Sequence, residues 1–429
     1  MSGGPQSLAA LEERARSGDA AAQFELAAAL DRAGRRAEAT SWLERAGEAG
    51  QPDALTLLAI VDLQGFERPR DVASGLARLR RAAAANGNGA RRLLALMTAI
   101  GSDGPPDWTR AVALVIEAAR ANDPAALREL AFLAEMAAPQ SQIAENLLVL
   151  AGMMGDGHAA YAVLRRQASG RVLAREEICA QWRAGLARLN HPLADRVATI
   201  PATAGAGTSP SYVDMDWDEV SALLSAPPGV ARDVGTRVSE RPLVLRFDRL
   251  MSEEECEFLI GWSARYLRPA EIVDQTSGQA KQSRLRTNSV GVLWPTHQDL
   301  VVHALNLRLA AATGLPVEQG EMINVLMYRP REEYRAHFDF FPLEAAKADP
   351  SGQRSRTLLV FLNTDYEGGE THFISAGLKV KGAVGDAVLF HNCDASGAPD
   401  RSSLHAGMPI VNGQKWLLSK WWREKRFVY

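Results

Sequence analysis

The feature that most constrains this chain is a junction that recurs through its N-terminal third. Gln51-Pro52-Asp53-Ala54, Asn88-Gly89-Ala90, Asp123-Pro124-Ala125 and Asp156-Gly157-His158-Ala159 follow one another, alanine to alanine, at steps of 36, 35 and 34 residues. Each junction comes after an alanine-rich or small-residue segment, such as Arg81-Ala82-Ala83-Ala84-Ala85-Asn86-Gly87. Within the units, further breaks fall at Arg32-Ala33-Gly34, Gln64-Gly65-Phe66 and Ser102-Asp103-Gly104-Pro105-Pro106. Between the breaks, Ala, Leu, Arg and Glu recur at helical spacing. A unit of this length holds two helices, and so short a pair cannot bury its apolar face alone, so successive units must stack. Residues 1–166 are therefore expected to form an all-α helical repeat solenoid with an extended concave face. A non-repeating helical bundle is the alternative, and it would lack that face.

The small-residue helix, glycine break, second helix and Ala-Ala-x-x-Gly/Asn ending resemble Sel1-type repeats of the tetratricopeptide class. Residues 167–240 then read as a capping helix and linker. Arg175 to Arg188 is amphipathic, and 200–211, rich in Pro, Ala, Gly, Thr and Ser, is a linker by composition. A short acidic helix is expected over Asp214 to Leu224, stopped by Pro227-Pro228-Gly229. Its Asp214, Asp216, Asp218 and Glu219 suit a solvated helix N-terminus, where the helix dipole favours carboxylates, better than a metal site.

A chain of 429 residues has room for two or three domains. Its net charge of −3 offers no basic surface for nucleic acid. Three cysteines, Cys179, Cys256 and Cys393, are too few for a disulfide framework and are expected as reduced, buried thiols. Met1 to Ser7 carries no basic region followed by an apolar core, and no window approaches the ~20 apolar residues of a membrane span. The expectation is a cytoplasmic protein without a membrane partner.

From residue 241 the pattern changes. Pro242–Phe247 reads as a strand, and Ser252-Glu253-Glu254-Glu255 opens a helix to Leu267 with Ser at the cap and Glu three residues on. A polar, unpatterned stretch spans 275–283. A second helix is expected over His297 to Thr313, followed by a strand over Met322 to Tyr328 and short strands at 356–362, 371–374, 378–381, 386–390 and 415–422. Many short strands separated by glycine turns indicate a sandwich or barrel.

Within this half, His337-Phe338-Asp339 is a His-x-Asp, and on an extended strand residues i and i+2 share a face. With a second imidazole this pair would make the two-histidine, one-carboxylate triad of non-haem Fe(II) oxygenases, which leaves three metal positions open. His158, His191, His297 and His303 lie in helical or linker sequence and read as surface or packing residues. His391 and His405 are the rivals for third ligand. Ten residues after His405 comes Lys415, at the start of the apolar run Trp416-Leu417-Leu418; ten after His391 comes Arg401, in a polar loop.

The words around these residues decide the matter. Tyr328, Tyr334-x-x-His337-Phe338-Asp339-Phe340, Arg354-x-x-Thr357, Leu362-Asn363, Gly368-Gly369-Glu370-Thr371-x-Phe373, Gly385 to Phe390, His405 and Gly413-x-Lys415-Trp416 stand in the order of the prolyl 4-hydroxylase family of 2-oxoglutarate/Fe(II) dioxygenases. Residues 241–429 resemble that family. Arg286-Thr287-Asn288 is similar to the family's Arg-Thr-Ser at the end of a loop over the active site.

The resemblance implies a double-stranded β-helix (jelly-roll) domain with flanking helices, so that the whole chain is an α+β multidomain protein. It implies iron on His337, Asp339 and His405, and 2-oxoglutarate held by Lys415 with help from Tyr328 and Thr371. It places Tyr334, Arg354 and Trp421 around the substrate. It also implies dioxygen as co-substrate, succinate and carbon dioxide as co-products, and ascorbate as the reductant that keeps iron ferrous. Because Asp339 is present, where halogenating relatives carry a small residue, the expected outcome is hydroxylation. The favoured substrate is a prolyl residue of a peptide or protein recruited by the repeats. A free amino acid or other small molecule is the alternative, and a catalytically inert repeat scaffold a third. A fragment from about residue 236 onward is expected to fold alone.

Overall fold

A computed structural model describes residues 8–65, 69–102, 104–171, 176–200, 215–230, 234–273, 280–282 and 285–427. The expected linker at 200–211 falls almost wholly outside the described residues, as do Met1 to Ser7 and Asp214; of the polar stretch at 275–283 only Ala280–Gln282 is described, a short strand paired with Glu271–Val273. The chain forms two compact units. One comprises 1–147 with 214–226 and 298–301; the other comprises 148–213, 227–297 and 302–429.

The first unit is helical throughout. Helices Ala20–Arg32 and Arg36–Glu48, Pro52–Gln64 and Val72–Ala84, and Asn88–Ile100 and Trp108–Arg120 pair in succession. The recurring junctions are helix starts: Gln51 accepts from Ala54 N–H at 2.5 Å, and Asp123 from Ala125 N–H at 2.8 Å. Just before them, Gly50, Asn86 and Asn122 take positive φ, the left-handed conformation that ends a helix and that glycine and asparagine tolerate best. That requirement is the physical content of the Gly/Asn ending. The fully buried alanines of the first three junctions are Ala54, Ala90 and Ala126, so the third repeat step is counted from the residue after Ala125. Segment 298–301 belongs to this unit because Asp299 accepts from buried Arg128 at 2.9 Å and Leu300 N–H donates to Glu129 at 2.7 Å. Trp217–Leu223 joins it as well. Asp216 caps that helix by accepting from Asp218 and Glu219 N–H, which is the role its acidic start anticipated.

The second unit is built on two antiparallel sheets. The larger has eight strands in the order Thr236–Glu240, Leu243–Phe247, Ala387–His391, Arg354–Phe361, Lys415–Arg423, Ile323–Tyr328, Ser289–Leu293, Leu267–Pro269. The smaller has Leu378–Val380, Thr371–Phe373, His405–Gly407 and Tyr334–His337. Leu326, Tyr328, Leu359, Phe361, Phe390 and Leu417 from the large sheet pack against Phe373 from the small one and against Ile410. This is the double-stranded β-helix. Helix Glu253–Ser263 carries the anticipated capping box at Ser252 and Glu255, and ends earlier than Leu267, which instead opens an edge strand. Among the described residues no helix is long and apolar enough to cross a membrane.

The contacts do not divide at residue 166. Helix Gly157–Ala168 belongs to the second unit, where Arg165 pairs with Glu253 at 2.9 Å and with Glu257 at 3.2 Å, and Arg166 pairs with Glu254 at 2.7 Å. Arg196 reaches Glu257 at 3.1 Å. Glu257 is 3% exposed in the whole chain, and a fragment without Arg165, Arg166 and Arg196 loses these ion pairs and uncovers the helix face they bury. A fragment starting at residue 236 is therefore expected to be insoluble or to melt well below the intact chain. Thermal denaturation of the two followed by circular dichroism checks this, and an equal melting temperature would support the boundary read from sequence.

Candidate active site

The small sheet sets the site. His405 and His337 are register partners on neighbouring strands, so their rings meet at a centroid distance of 4.3 Å. The strand ends at His337 and the chain bends at Asp339 and Phe340, so Asp339 reaches the same point from a bend rather than from two residues along a strand. Asp339 Oδ1 lies 3.5 Å from His337 Nε2, and Oδ2 lies 3.7 Å from His405 Nε2. One ligand atom from each of the three residues falls within 4.8 Å of the others, and no other such group occurs among the described residues. His391 is not in it.

The protonation of the site suits a cation. His337 Nδ1 is 2.8 Å from the Arg335 carbonyl and His405 Nδ1 is 2.9 Å from the Ser403 carbonyl. A carbonyl only accepts, so each Nδ1 carries the proton and each Nε2 presents its lone pair to the centre. Burial, reinforced by His337, lowers His405 to about 4 and keeps it neutral. Burial alone would raise Asp339, but His405, His337 and Arg354 together outweigh it and hold the carboxyl well below its usual range. The result is two neutral imidazoles and one carboxylate converging on one point, a donor set that fits a divalent iron.

Three central strands of the large sheet form the floor. Lys415, Leu417, Ser419 and Trp421 alternate along one strand and all line one cavity together with His337, Asp339 and His405. Trp422 consequently faces away and is fully buried. Lys415 and Tyr328 are register partners. Lys415 is 2% exposed; its Nζ donates to the Gly369 carbonyl at 2.7 Å, and among the described residues no carboxylate lies within ion-pair distance. Burial lowers its pKa to about 7. Gly369 has φ +70°, and a Cβ there would collide with Ile410 Cδ1, so glycine is needed for the turn that presents this carbonyl. Thr371, 3% exposed, lines the same end. A buried ammonium with no ion-pair partner among the described residues fits the distal carboxylate of a dicarboxylic acid.

The residues expected around the substrate divide. Tyr334 stacks on His337 at 3.5 Å between centroids, and the Arg286 guanidinium lies 5.0 Å from the Tyr334 ring centroid. Trp421 lines the cavity, and its indole Nε1 has no partner among the described residues. Arg354, expected to hold a peptide carbonyl, donates from Nε and Nη2 to Glu321, at 2.6 and 2.8 Å, and its guanidinium lies 4.0 Å from the Trp421 ring centroid. Glu321 sits across the sheet where no sequence spacing pairs it with Arg354. What Arg354 gives the cavity is a braced Trp421. Sequence reasoning gave no role to Thr357, Asn392 or Gly369, although Thr357 and Gly369 lie inside motif words.

The comparisons with known proteins agree with this geometry. Residues 323–423 match the 2OG-Fe(II) oxygenase superfamily. Prolyl 4-hydroxylase 1 of Arabidopsis thaliana is 34% identical over 202 residues, 44% of this chain and 71% of that protein. Prolyl 4-hydroxylase 5 of the same plant is 34% identical over 209 residues, 44% of this chain and 71% of that protein. The chain belongs to the prolyl 4-hydroxylase family of 2-oxoglutarate/Fe(II)-dependent dioxygenases. Among solved structures it is similar to the viral collagen prolyl hydroxylase of Paramecium Bursaria Chlorella virus-1, at 23% identity and TM-score 0.34 over 42% of this chain and 95% of that one. It is also similar to a Sel1 repeat protein from Oxalobacter formigenes, at 28% identity and TM-score 0.26 over 28% of this chain and 95% of that one.

Proposed function

We propose that this enzyme hydroxylates a prolyl residue of a peptide or protein, converting 2-oxoglutarate to succinate and carbon dioxide as it does so. In this reading His337, Asp339 and His405 hold Fe(II), and Lys415 holds the distal carboxylate of 2-oxoglutarate with Tyr328 and Thr371 beside it. The observation that carries it is Lys415, buried and with no carboxylate within ion-pair distance among the described residues, in the same cavity as the two-histidine, one-carboxylate cluster. When bound, the iron supplies the activation of dioxygen; ascorbate is the reductant that would keep it ferrous.

The chain's own residues then orient and shield. Lys415 fixes 2-oxoglutarate from its far end, so its keto acid end faces the cluster. The apolar floor of Leu326, Leu359 and Leu417 keeps water from the centre. Tyr334 and Trp421 offer two aromatic side chains to a proline ring. The helical repeats recruit the protein that carries the proline.

Incubation of the enzyme with Fe(II), 2-oxoglutarate, ascorbate and a library of proline-containing peptides and free amino acids, read by mass spectrometry, should find a gain of one oxygen atom on a prolyl peptide. Higher kcat/KM on a free amino acid than on every peptide would replace this reading with a small-molecule hydroxylase. In Trp421→Ala and Tyr334→Ala, the peptide KM is expected to rise about tenfold or more, equivalent to about 1.4 kcal/mol of lost contact. Uncoupled succinate formation should persist. An unchanged peptide KM in both variants would remove these rings from substrate binding.

A further inference from the structure

One side of the iron-ligand carboxylate is already occupied by protein. Thr357 Oγ1 donates to Asp339 Oδ2 at 2.7 Å, and Asn392 Nδ2 donates to Thr357 Oγ1 at 2.9 Å. All three are buried, Thr357 at 1% and Asn392 at 0% exposure. The directions follow from the chemistry. A carboxylate can only accept, so the Thr357 hydroxyl must give it its single proton. That hydroxyl then has only lone pairs left for Asn392, which must turn its NH₂ toward it. The cost of this orientation is visible: Asn392 Oδ1 has no partner among the described residues, a buried acceptor left unmade at about 1–3 kcal/mol. The backbone of Asn392 is fixed on both sides, its N–H donating to Ser355 O and its carbonyl accepting from Asp400 N–H, each at 2.9 Å.

We propose that Thr357, oriented by Asn392, is a positioning residue that holds Asp339 to ligation through one oxygen. This rests on the reading that His337, Asp339 and His405 bind iron. The consequence is a count of positions. A triad with one oxygen from Asp339 leaves three positions of six open, enough for the two oxygens of 2-oxoglutarate and one further diatomic ligand. An Asp339 free to ligate through both oxygens would leave two, and 2-oxoglutarate would fill them. The hydroxyl thus protects the dioxygen position without touching it.

Nitric oxide, which takes the dioxygen position on ferrous iron and gives a half-integer-spin EPR signal, tests this without turnover. The intact enzyme, loaded anaerobically with Fe(II) and 2-oxoglutarate, should bind nitric oxide. Thr357→Val keeps the shape but has no proton to give; it should still bind Fe(II) and 2-oxoglutarate while its apparent nitric oxide Kd rises about 10- to 100-fold, the size of effect typical when a hydrogen-bond partner of a metal ligand is lost. Thr357→Ser should restore wild-type binding. If Thr357→Val does not fold, Asn392→Ala gives the same comparison, with a smaller rise expected because the hydroxyl remains but is less well aimed. Wild-type nitric oxide affinity in Thr357→Val, or in Asn392→Ala where that variant stands in for it, would overturn the proposal. Failure of the wild-type enzyme itself to bind Fe(II) would instead overturn the iron site on which it rests.

Discussion

His405→Ala is expected to bind Fe(II) at least 100-fold more weakly than the native enzyme and to form no measurable succinate, whereas His391→Ala should keep both within about threefold. The estimate for His405 starts from the 10- to 100-fold typical of losing an outer-shell partner, which the loss of a ligand itself must exceed. Geometry separates the two histidines. His405 sits opposite His337 in the small sheet, with its Nδ1 proton on Ser403 O and its Nε2 aimed at Asp339. His391 ends a strand of the large sheet, where its register partner is Arg356, and burial holds its pKa near about 4, so it is a neutral packing residue. Equilibrium dialysis of Fe(II) under anaerobic conditions measures both variants. Weak binding in His391→Ala with normal binding in His405→Ala would show that the ligand set has been misassigned.

How far the site could be read from sequence depends on the range of the interactions that make it. His337 and Asp339 were legible because they are two residues apart, although the local geometry is a strand end and a bend rather than the regular alternation expected. The pairing of Lys415 with Tyr328 is a cross-strand register, and no pattern within either strand encodes it; only the motif words placed the two residues together. Helix starts in the repeats were legible because Asp, Gln and Pro caps and left-handed Gly or Asn ends act within four residues. The short strands His405–Gly407, Ser289–Leu293 and Leu267–Pro269 were not, since a stretch of three to five residues with glycine or polar members shows little alternation and is a strand only because its neighbours pair with it. Arg354 shows the same limit from the other side. Its motif position marks it for the substrate, and no spacing announces that Glu321, thirty-three residues away in sequence, accepts from its Nε and Nη2. The ion pairs of Arg165 and Arg166 with Glu253, Glu254 and Glu257 likewise join segments far apart in sequence, which is why the boundary at residue 166 followed the repeat pattern rather than the contacts.

Lys415 carries the second large effect, and its sign can be worked out in advance. Its ammonium is buried, has no counter-ion among the described residues, and loses its proton at about 7 because burial disfavours the charge. The distal carboxylate of 2-oxoglutarate needs the charged form. Below pH 7 the lysine is already protonated, so binding carries no proton and the 2-oxoglutarate KM should be flat. Above pH 7 the free enzyme is neutral there, and each binding event must take up a proton. The KM should then climb toward tenfold per pH unit until the pKa of the bound form is passed. Removing the group, as in Lys415→Ala, should raise the KM at pH 7 on the order of 100-fold, within the 2–5 kcal/mol seen when one partner of a buried charge pair is truncated. It should also flatten the profile above neutrality, because no proton remains to be taken up. Fe(II) binding should be nearly unchanged, since Lys415 is not among the three converging ligands. Steady-state succinate formation from pH 6 to about pH 9 reads all of this. A Lys415→Ala enzyme with the native KM, or one that keeps the alkaline rise, would mean that another group anchors the co-substrate.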